Sequence, residues 1–371
     1  MERKVYLPVI SGRLARGLVP GALCLVLGLV LAACGSAGAG GTGSSSTSNG
    51  KPDLGFYNGK TITMIVPSKP GGSFDAWGRL LAPYMGKYLH ATVTVRNVPA
   101  GNTIVGQNQL YASRPDGLTV GWINGGEDVT EAVKGSTGLI FNPATIPYVG
   151  SVSAGLFALV VQPETPYHTF QDLQKATAPI PTLDVTRGTN DLILRVLVGA
   201  YHINAKIITG YESTKDLAAG FLRKDGQMEQ TEMLALQSAI QDGKARALAL
   251  STAVPPQNTA YAQVKNAPTI QQLLQQDPPK TAQDQQAIKT LLDVLSASQA
   301  MAVPKGTQAS RLGALRAAMQ WAMQQPGLKE QALKESLNPG VVSGPQVQQT
   351  LASALNNAES LKPYLTKHSK H

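Results

Sequence analysis

The stretch Thr61-Ile-Thr-Met-Ile-Val-Pro67-Ser-Lys-Pro-Gly-Gly-Ser-Phe-Asp75 decides the fold. Its first half is short, apolar and β-branched and is closed by Pro67, which predicts a buried strand. Its second half turns on two glycines. Beyond it Trp77, Leu80, Leu81, Tyr84 and Tyr88 recur at helical spacing, with Pro83 inside the helix as an expected kink. Strand, glycine turn and helix in that order make half of a βαβ unit. Residues 91–97 alternate as a second strand, Gly101 to Ser113 read as a second helix, and Leu118 to Ile123 as a third strand after the turn Pro115-Asp-Gly117. The first third is therefore βαβαβ, the pattern of a parallel sheet covered by helices.

The pattern resumes further along. Strands are expected at 148–152, 156–161, 181–186, 206–209 and 245–251, with helices at 191–202 and about 233–242. These form a second α/β unit. A Gln- and Pro-rich connection (255–285) leads to a helix at 284–297, a strand at 300–303, and helices near 308–324, 327–336 and 345–361. No internal repeat is evident.

The N-terminus is of another kind. Arg3, Lys4, Arg13 and Arg16 precede an apolar run, Leu18 to Ala33, that ends Leu31-Ala-Ala-Cys34. A basic segment, a short apolar segment and small residues at the cut are the parts of a secretory signal. The run is shorter than the ~20 residues a spanning helix needs and is broken by Pro20, Gly21 and Gly28. Leu-Ala-Ala-Cys resembles the bacterial lipobox, so residues 1–33 are expected to be removed and Cys34 lipidated. Residues 34–53 then form a Gly/Ser-rich linker, whose stretch from Gly35 to Gly50 reaches roughly 20–25 Å root-mean-square. The only other cysteine, Cys24, lies in the removed segment.

Composition narrows the function. Loss of residues 1–33 deletes four basic residues and one acid, lowering the net charge from +9 by three to +6. The excess is scattered, with no basic stripe for nucleic acid. A cationic cleft for anions and a generally basic surface both fit it. The five histidines lack metal-ligand spacing. Gly55-Phe-Tyr-Asn-Gly-Lys60-Thr61 is too short for a phosphate loop and precedes a strand. Ser151-Val-Ser-Ala-Gly155 lacks the first glycine of a hydrolase elbow. No cofactor, metal or catalytic constellation is expected, and the chain does not read as an enzyme.

Binding chemistry sits in the loops. Pro70-Gly-Gly-Ser-Phe-Asp75 joins a strand end to a helix start, where first-turn N–H groups and the helix dipole favour an anion. Ser73 can cap that helix, and Asp75 sits at i, i+4 to Arg79. Asn97-Val-Pro-Ala-Gly101-Asn102 and Arg187-Gly-Thr-Asn190 repeat the geometry. Three such loops at strand carboxyl ends could make a carboxylate trap. Arg187 reads equally as a carboxylate fork or a solvated surface residue, and Tyr211 as a ligand contact or core. Trp77 and Trp122 read as core. Glu212 and Glu232 would repel an anion, and Glu232 could instead take a cationic ligand group.

These motifs together carry a resemblance. Val66 to Asp75 with Arg79, Val95-Arg-Asn97 with Pro99-Ala-Gly101, and Arg114-Pro-Asp-Gly117 resemble the N-terminal motifs of the tripartite tricarboxylate transporter substrate-binding (Bug) family. Thr209-Gly-Tyr211 with Gly226-Gln227, Gly243 to Ser251 with Ala267-Pro-Thr269, and Ala302-Val-Pro-Lys-Gly-Thr307 are similar to its later ones. The likeness runs from Tyr57 to Tyr364. It implies a two-domain α/β Venus-flytrap fold of the periplasmic-binding-protein type, with ligand in the interdomain cleft. Domain 1 would be 54–155 plus 252–371 and domain 2 would be 156–251. The receptor would be a monomer, lipid-anchored outside the cytoplasm, passing an organic acid to large and small membrane permease subunits. A sensor of the same fold is the alternative. Carried over by position, the contacts are Gly72, Ser73 and Phe74 with Asp75 in support, then Asn97 and Gly101, then Arg187, Gly188, Thr189, Asn190 and Tyr211. The chain departs from the pattern at Asn102-Thr-Ile-Val, at Arg187 and at Gln308.

Overall fold

The computed structural model describes residues 51–101, 103–135, 138–152, 156–185, 188–252, 264, 266–335 and 337–366. Cys34 and the expected signal and linker up to residue 50 lie outside them, as do Asn102, Arg187 and most of the 253–265 connection.

Three strands, β1 (Thr61–Val66), β2 (Thr92–Asn97) and β3 (Thr119–Ile123), each feed a helix: α1 (Ser73–Leu89), α2 (Ile104–Tyr111) and α3 (Gly125–Lys134). The strands lie parallel with β1 in the centre. Next come β4 (Tyr148–Val152), β5 (Phe157–Val161) and α4 (Phe170–Gln174). A second set then repeats the plan: β6 (Ile180–Val185) with α5 (Gly188–Ala200), β7 (Ala205–Tyr211) with α6 (Thr214–Leu222), and β8 (Met228–Glu232) with α7 (Met233–Gln241). Strand β6 pairs in parallel with both β7 and β8. The chain closes with β9 (Arg246–Ser251), α8 (Ile270–Gln276), α9 (Ala282–Ser296), β10 (Ala300–Ala302), α10 (Ala309–Gln324), α11 (Pro326–Lys334), β11 (Val341–Ser343), α12 (Gly344–Asn356) and α13 (Lys362–Thr366).

Two sheets result, ordered β11-β4-β10-β3-β1-β2 and β7-β6-β8-β5-β9. Each has the same plan: three parallel strands in the order third-first-second, then antiparallel strands beside the third. The α/β class expected from the βαβαβ pattern is therefore observed.

Alternation within β1 builds two cores at once. Ile62, Met64 and Val66 face Trp77, Leu81 and Met85 of α1 and Leu315 and Met319 of α10. Ile65 faces Leu110, Tyr148 and Leu351 on the other side. Leu81 is fully buried, and truncating such a leucine costs about 2–5 kcal/mol. Trp77 and Trp122 are both core, as expected. In the second sheet, Leu159 and Met228 face α5, α9 and the C-terminal residues Leu361 and Tyr364, joined by Val129 and Val133 of α3. Leu183, Phe221, Leu236 and Leu250 form the opposite face.

Several expectations shift. Helix α1 runs through Pro83 without ending. The expected helix 101–113 shrinks to 104–111, and 345–361 breaks after Asn356 into a 3₁₀ turn and α13. Strand β8 escapes sequence reading because Met-Glu-Gln-Thr-Glu has no apolar pattern, yet it lies in the middle of its sheet. Helices α3, α4, α6 and α8 and strand β11 are likewise additions; most are too short for a periodicity to declare itself.

Candidate functional site

The first loop is held by a polar clamp. Asp75 accepts from the Gly71 N–H at 2.9 Å and from Arg79 Nε at 3.0 Å. Asn97 Nδ2 donates to Asp75 Oδ1 at 2.9 Å and to the Ser68 carbonyl at 3.0 Å, while Asn97 Oδ1 accepts from Arg79 at 3.1 Å. Burial raises the Asp75 carboxyl, but bonds from Arg79, Gly71 and Asn97 outweigh it and hold the group below its ordinary range. Gly71 has φ +92°, a conformation only glycine adopts cheaply. The clamp thus fixes the bend from β1 into α1. Asn97, expected to face a ligand, spends its whole amide here.

Gly72, not Ser73, is the N-cap of α1, and no side chain caps that helix. Ser73 is the first helical residue, and its hydroxyl is used elsewhere. Gln299, just before β10, donates Nε2 to Ser73 Oγ at 2.6 Å. Burial raises the carboxyl of Glu232, at the end of β8 in the other sheet, and the nearby Ser73 hydroxyl partly offsets this. Phe74 packs edge-on against Trp122, ring centroids 6.2 Å apart.

A second contact joins the sheets. Thr189 donates its hydroxyl to Asn124 Oδ1 at 3.2 Å. Asn124 is the N-cap of α3 and accepts from the Glu127 N–H. Gly126 lies so close that a Cβ there would sit 2.4 Å from Thr189 Oγ1. Behind it, burial pushes the Asp128 carboxyl well up, and Glu127 and Glu131 add to the rise.

The structure therefore brings Ser73, Thr189, Asn124, Gly126, Glu232 and Gln299 to one seam between the sheets. Asn190 lies one residue beyond Thr189, buried, with Oδ1 unpartnered. Gln230, on the same face of β8 as Glu232, keeps a buried, unpartnered Nε2. Gly101, shortly before α2, and Gly188, the first residue of α5, adopt positive φ, +57° and +89°. Tyr211 is not brought to the seam. Its ring covers Gly220 of α6 on the other face of the sheet, and its hydroxyl donates to Asp225 at 3.1 Å. Arg187 lies outside the described residues. Sequence reading missed Asn124-Gly-Gly126, although its glycines after a strand and its acids at 127 and 128 repeat the signal of the first loop. Gln299 carried no signal, because it belongs to no strand-to-helix loop.

Hollows also lie elsewhere among the described residues, one of them of about 290 Å³ beside Tyr201 and Asp277. One of about 610 Å³ is lined by Pro52, Met319 and Val341–Gln346. One of about 210 Å³ is lined by Arg195, His202, Asp284 and Tyr364. Among the described residues no helix is long and apolar enough to cross a membrane, and no cluster of three metal-ligating side chains occurs.

Two sheets of one topology, with strand carboxyl ends meeting at a seam, define an α/β fold of the periplasmic-binding-protein class. BugD is similar at TM-score 0.62 and 19% identity, over 83% of this chain and 98% of its own. MatC from Rhodopseudomonas palustris with bound malate is similar at 0.62 and 15%, over 82% and 99%. A second R. palustris protein, solved with adipate, reaches 0.64 at 16%, over 82% and 97%. No curated protein matches the chain in sequence. Residues 78–363 match the tripartite tricarboxylate transporter family receptor, and the chain belongs to that family. Its members are extracytoplasmic solute receptors, not enzymes.

Proposed function

We propose that this chain is a lipid-anchored receptor that captures an organic acid at the seam and delivers it to a tripartite tricarboxylate-type permease. One observation carries the reading: the clamp of Asp75, Arg79 and Asn97 presents the first turn of α1, which no side chain caps, at the carboxyl end of β1. Such N–H groups favour an anion. Malate in MatC and adipate in the second R. palustris protein agree with a carboxylate ligand.

In this reading the main chain of Gly72, Ser73 and Phe74 faces one carboxylate, with Asp75 and Asn97 holding the loop. Gly101, Gly188, Thr189 and Asn190 approach from the flanking loops, and Arg187 supplies a guanidinium. Tyr211 shapes its loop from the far face. The lobes are 54–155 plus 252–371 and 156–251, bridged by α3, α9 and the C-terminal turns, and they close on ligand by hinge motion. Cys34 carries the lipid, and the receptor works as a monomer.

A thermal-shift screen of mono-, di- and tricarboxylates tests the reading. A ligand at a hundred times its Kd adds about 2.7 kcal/mol of stability, a rise of several degrees. If no carboxylate at millimolar concentration moves the midpoint, the reading fails.

A further inference from the structure

The two sheets clamp their first loops with the same pair and a different third member. Asp75 and Arg79 stand at i, i+4 at the start of α1, and Asp191 and Arg195 stand at i, i+4 at the start of α5. In the first sheet the third member is Asn97, a neutral amide. In the second it is Asp184, the penultimate residue of β6, which accepts from Arg195 Nη2 at 3.1 Å. Arg195 Nε donates to Asp191 Oδ1. One guanidinium thus ties the strand that enters the loop at Gly188–Asn190 to the helix that leaves it.

The charges of this second clamp do not balance. The side chains of Asp184, Asp191 and Arg195 are 1%, 3% and 11% exposed, whereas Arg79 of the first clamp is 56% exposed. Two carboxylates share one buried cation, and in a dry site like charges disfavour ionising both. Among the described residues, Asp191 and Arg195 are the charges that act on Asp184. One step beyond the register Leu183–Glu229 lies Gln230 of β8, a neutral amide with an unpartnered Nε2. Glu232, two residues further on the same face, would only add a like charge. His202, Asp284 and Tyr364 stand around the hollow that Arg195 lines, where His202 faces Asp284 at 3.8 Å. Burial and then Asp191 raise the Asp184 carboxyl above its ordinary range, and Arg195 only partly offsets them.

We propose that Asp184 and Arg195 position the ligand loop Gly188–Asn190, with Asp184 held as a neutral carboxylic acid that completes the clamp as Asn97 does in the first sheet. This deepens the proposed receptor function and, where the ligand is concerned, rests on it.

The test begins with the full chain without ligand. If Asp184 were ionised in a plain ion pair, Asp184→Asn would destabilise the fold at neutral pH. A neutral Asp184 reverses the sign. Between the unfolded pKa of about 3.9 and the higher folded value, the folded chain holds a proton that the unfolded chain has lost. Wild type therefore loses stability as pH rises through that window, and Asp184→Asn does not. The variant should melt above wild type at pH 8, by a wider margin than at pH 5. A constant margin, or a variant that melts below wild type at pH 8 as expected if Arg187 neutralises the second acid, overturns the inference. Amide hydrogen exchange reads the loop itself. Asp184→Ala should speed exchange at Gly188–Asp191 about tenfold, with the first sheet unaltered, and Asp184→Asn should restore most of the protection. Unaltered exchange there in Asp184→Ala overturns the positioning role. Should Asp184→Ala fail to fold, Arg195→Lys, which keeps the charge but not the fork, takes its place. Calorimetric titration of malate and adipate then ties the loop to the ligand: Asp184→Ala should weaken whichever binds about tenfold, and Asp184→Asn should recover most of the loss. If no carboxylate binds wild type, the receptor reading falls, and melting and exchange still decide the clamp.

Discussion

The Thr189 hydroxyl lies 3.2 Å from Asn124 Oδ1, so the first strand-to-helix loop of one sheet meets the third loop of the other. Ser73 and Glu232 stand in the reverse relation, first loop of the first sheet and third loop of the second, with the Ser73 hydroxyl lowering the carboxyl that burial raises. The two pairings correspond through the shared topology of the sheets.

The Thr189 contact depends on Gly126. Gly126→Ala puts a Cβ 2.4 Å from Thr189 Oγ1 and should pry the seam apart on that side. Ligand affinity should fall roughly tenfold, about 1.4 kcal/mol, with the melting temperature of the unliganded protein changed little. Thr189→Ala in the same chain removes the obstructing atom and should restore part of the loss. Titration of the single and double variants measures both. No recovery in the double variant would mean that the loss comes from α3 itself.

Gly72 tests how near the ligand comes. Its φ of −89° suits any residue, and an added Cβ would meet only Ser68 Oγ at 4.0 Å. Gly72→Val should therefore fold normally. If the ligand carboxylate approaches this backbone, the loss of one charge-assisted hydrogen bond costs about 1.5–3 kcal/mol, or roughly ten- to a hundredfold in affinity. Unchanged affinity would place the anion elsewhere.

The clamp has a pH signature. The folded Asp75 carboxyl lies below its ordinary value, so its contribution is present above the unfolded pKa of about 3.9. It disappears as pH falls through the lower folded value. Asp75→Ala should lower the melting temperature at neutral pH by roughly 3–8 °C. The gap to wild type should narrow below about pH 4. Melting curves across pH check this; a constant gap would remove the carboxylate from the account.

Glu229 behaves oppositely. It is fully buried in β8 with both carboxylate oxygens unpartnered, and desolvation pushes its pKa up to about 8. A raised carboxyl favours the fold below the unfolded pKa of about 4.3, and that stability drains away as pH rises toward 8. Glu229→Gln should gain less than about 1 °C near pH 5 and roughly 4 °C or more at pH 8. A variant less stable than wild type at both would show that the carboxylate has a partner.

The anchor is tested by labelling. Cys34→Ser should abolish incorporation of a palmitate analogue and leave residues 1–33 attached. Equal labelling of wild type and variant would remove Cys34 from the proposal.

The sequence by itself determined the α/β class, because β1 and α1 announce themselves through periodicities of two and 3.6 that local sterics impose. It also determined that the loop at Gly71-Gly72 would bend sharply, since the residue types allow little else. Strand β8 was invisible to that logic. Its Glu, Gln and Thr lie in mid-sheet only because neighbouring strands satisfy the backbone and two helix layers enclose the side chains. The repeated topology was equally hidden, since hydrogen-bonding order constrains backbone paths and not residue identities. The seam was decided by tertiary structure alone. Gln299 stands 226 residues from Ser73 in the chain, and Thr189 reaches Asn124 from the other sheet. No local pattern can record a contact between groups that only the folded chain brings within hydrogen-bonding distance.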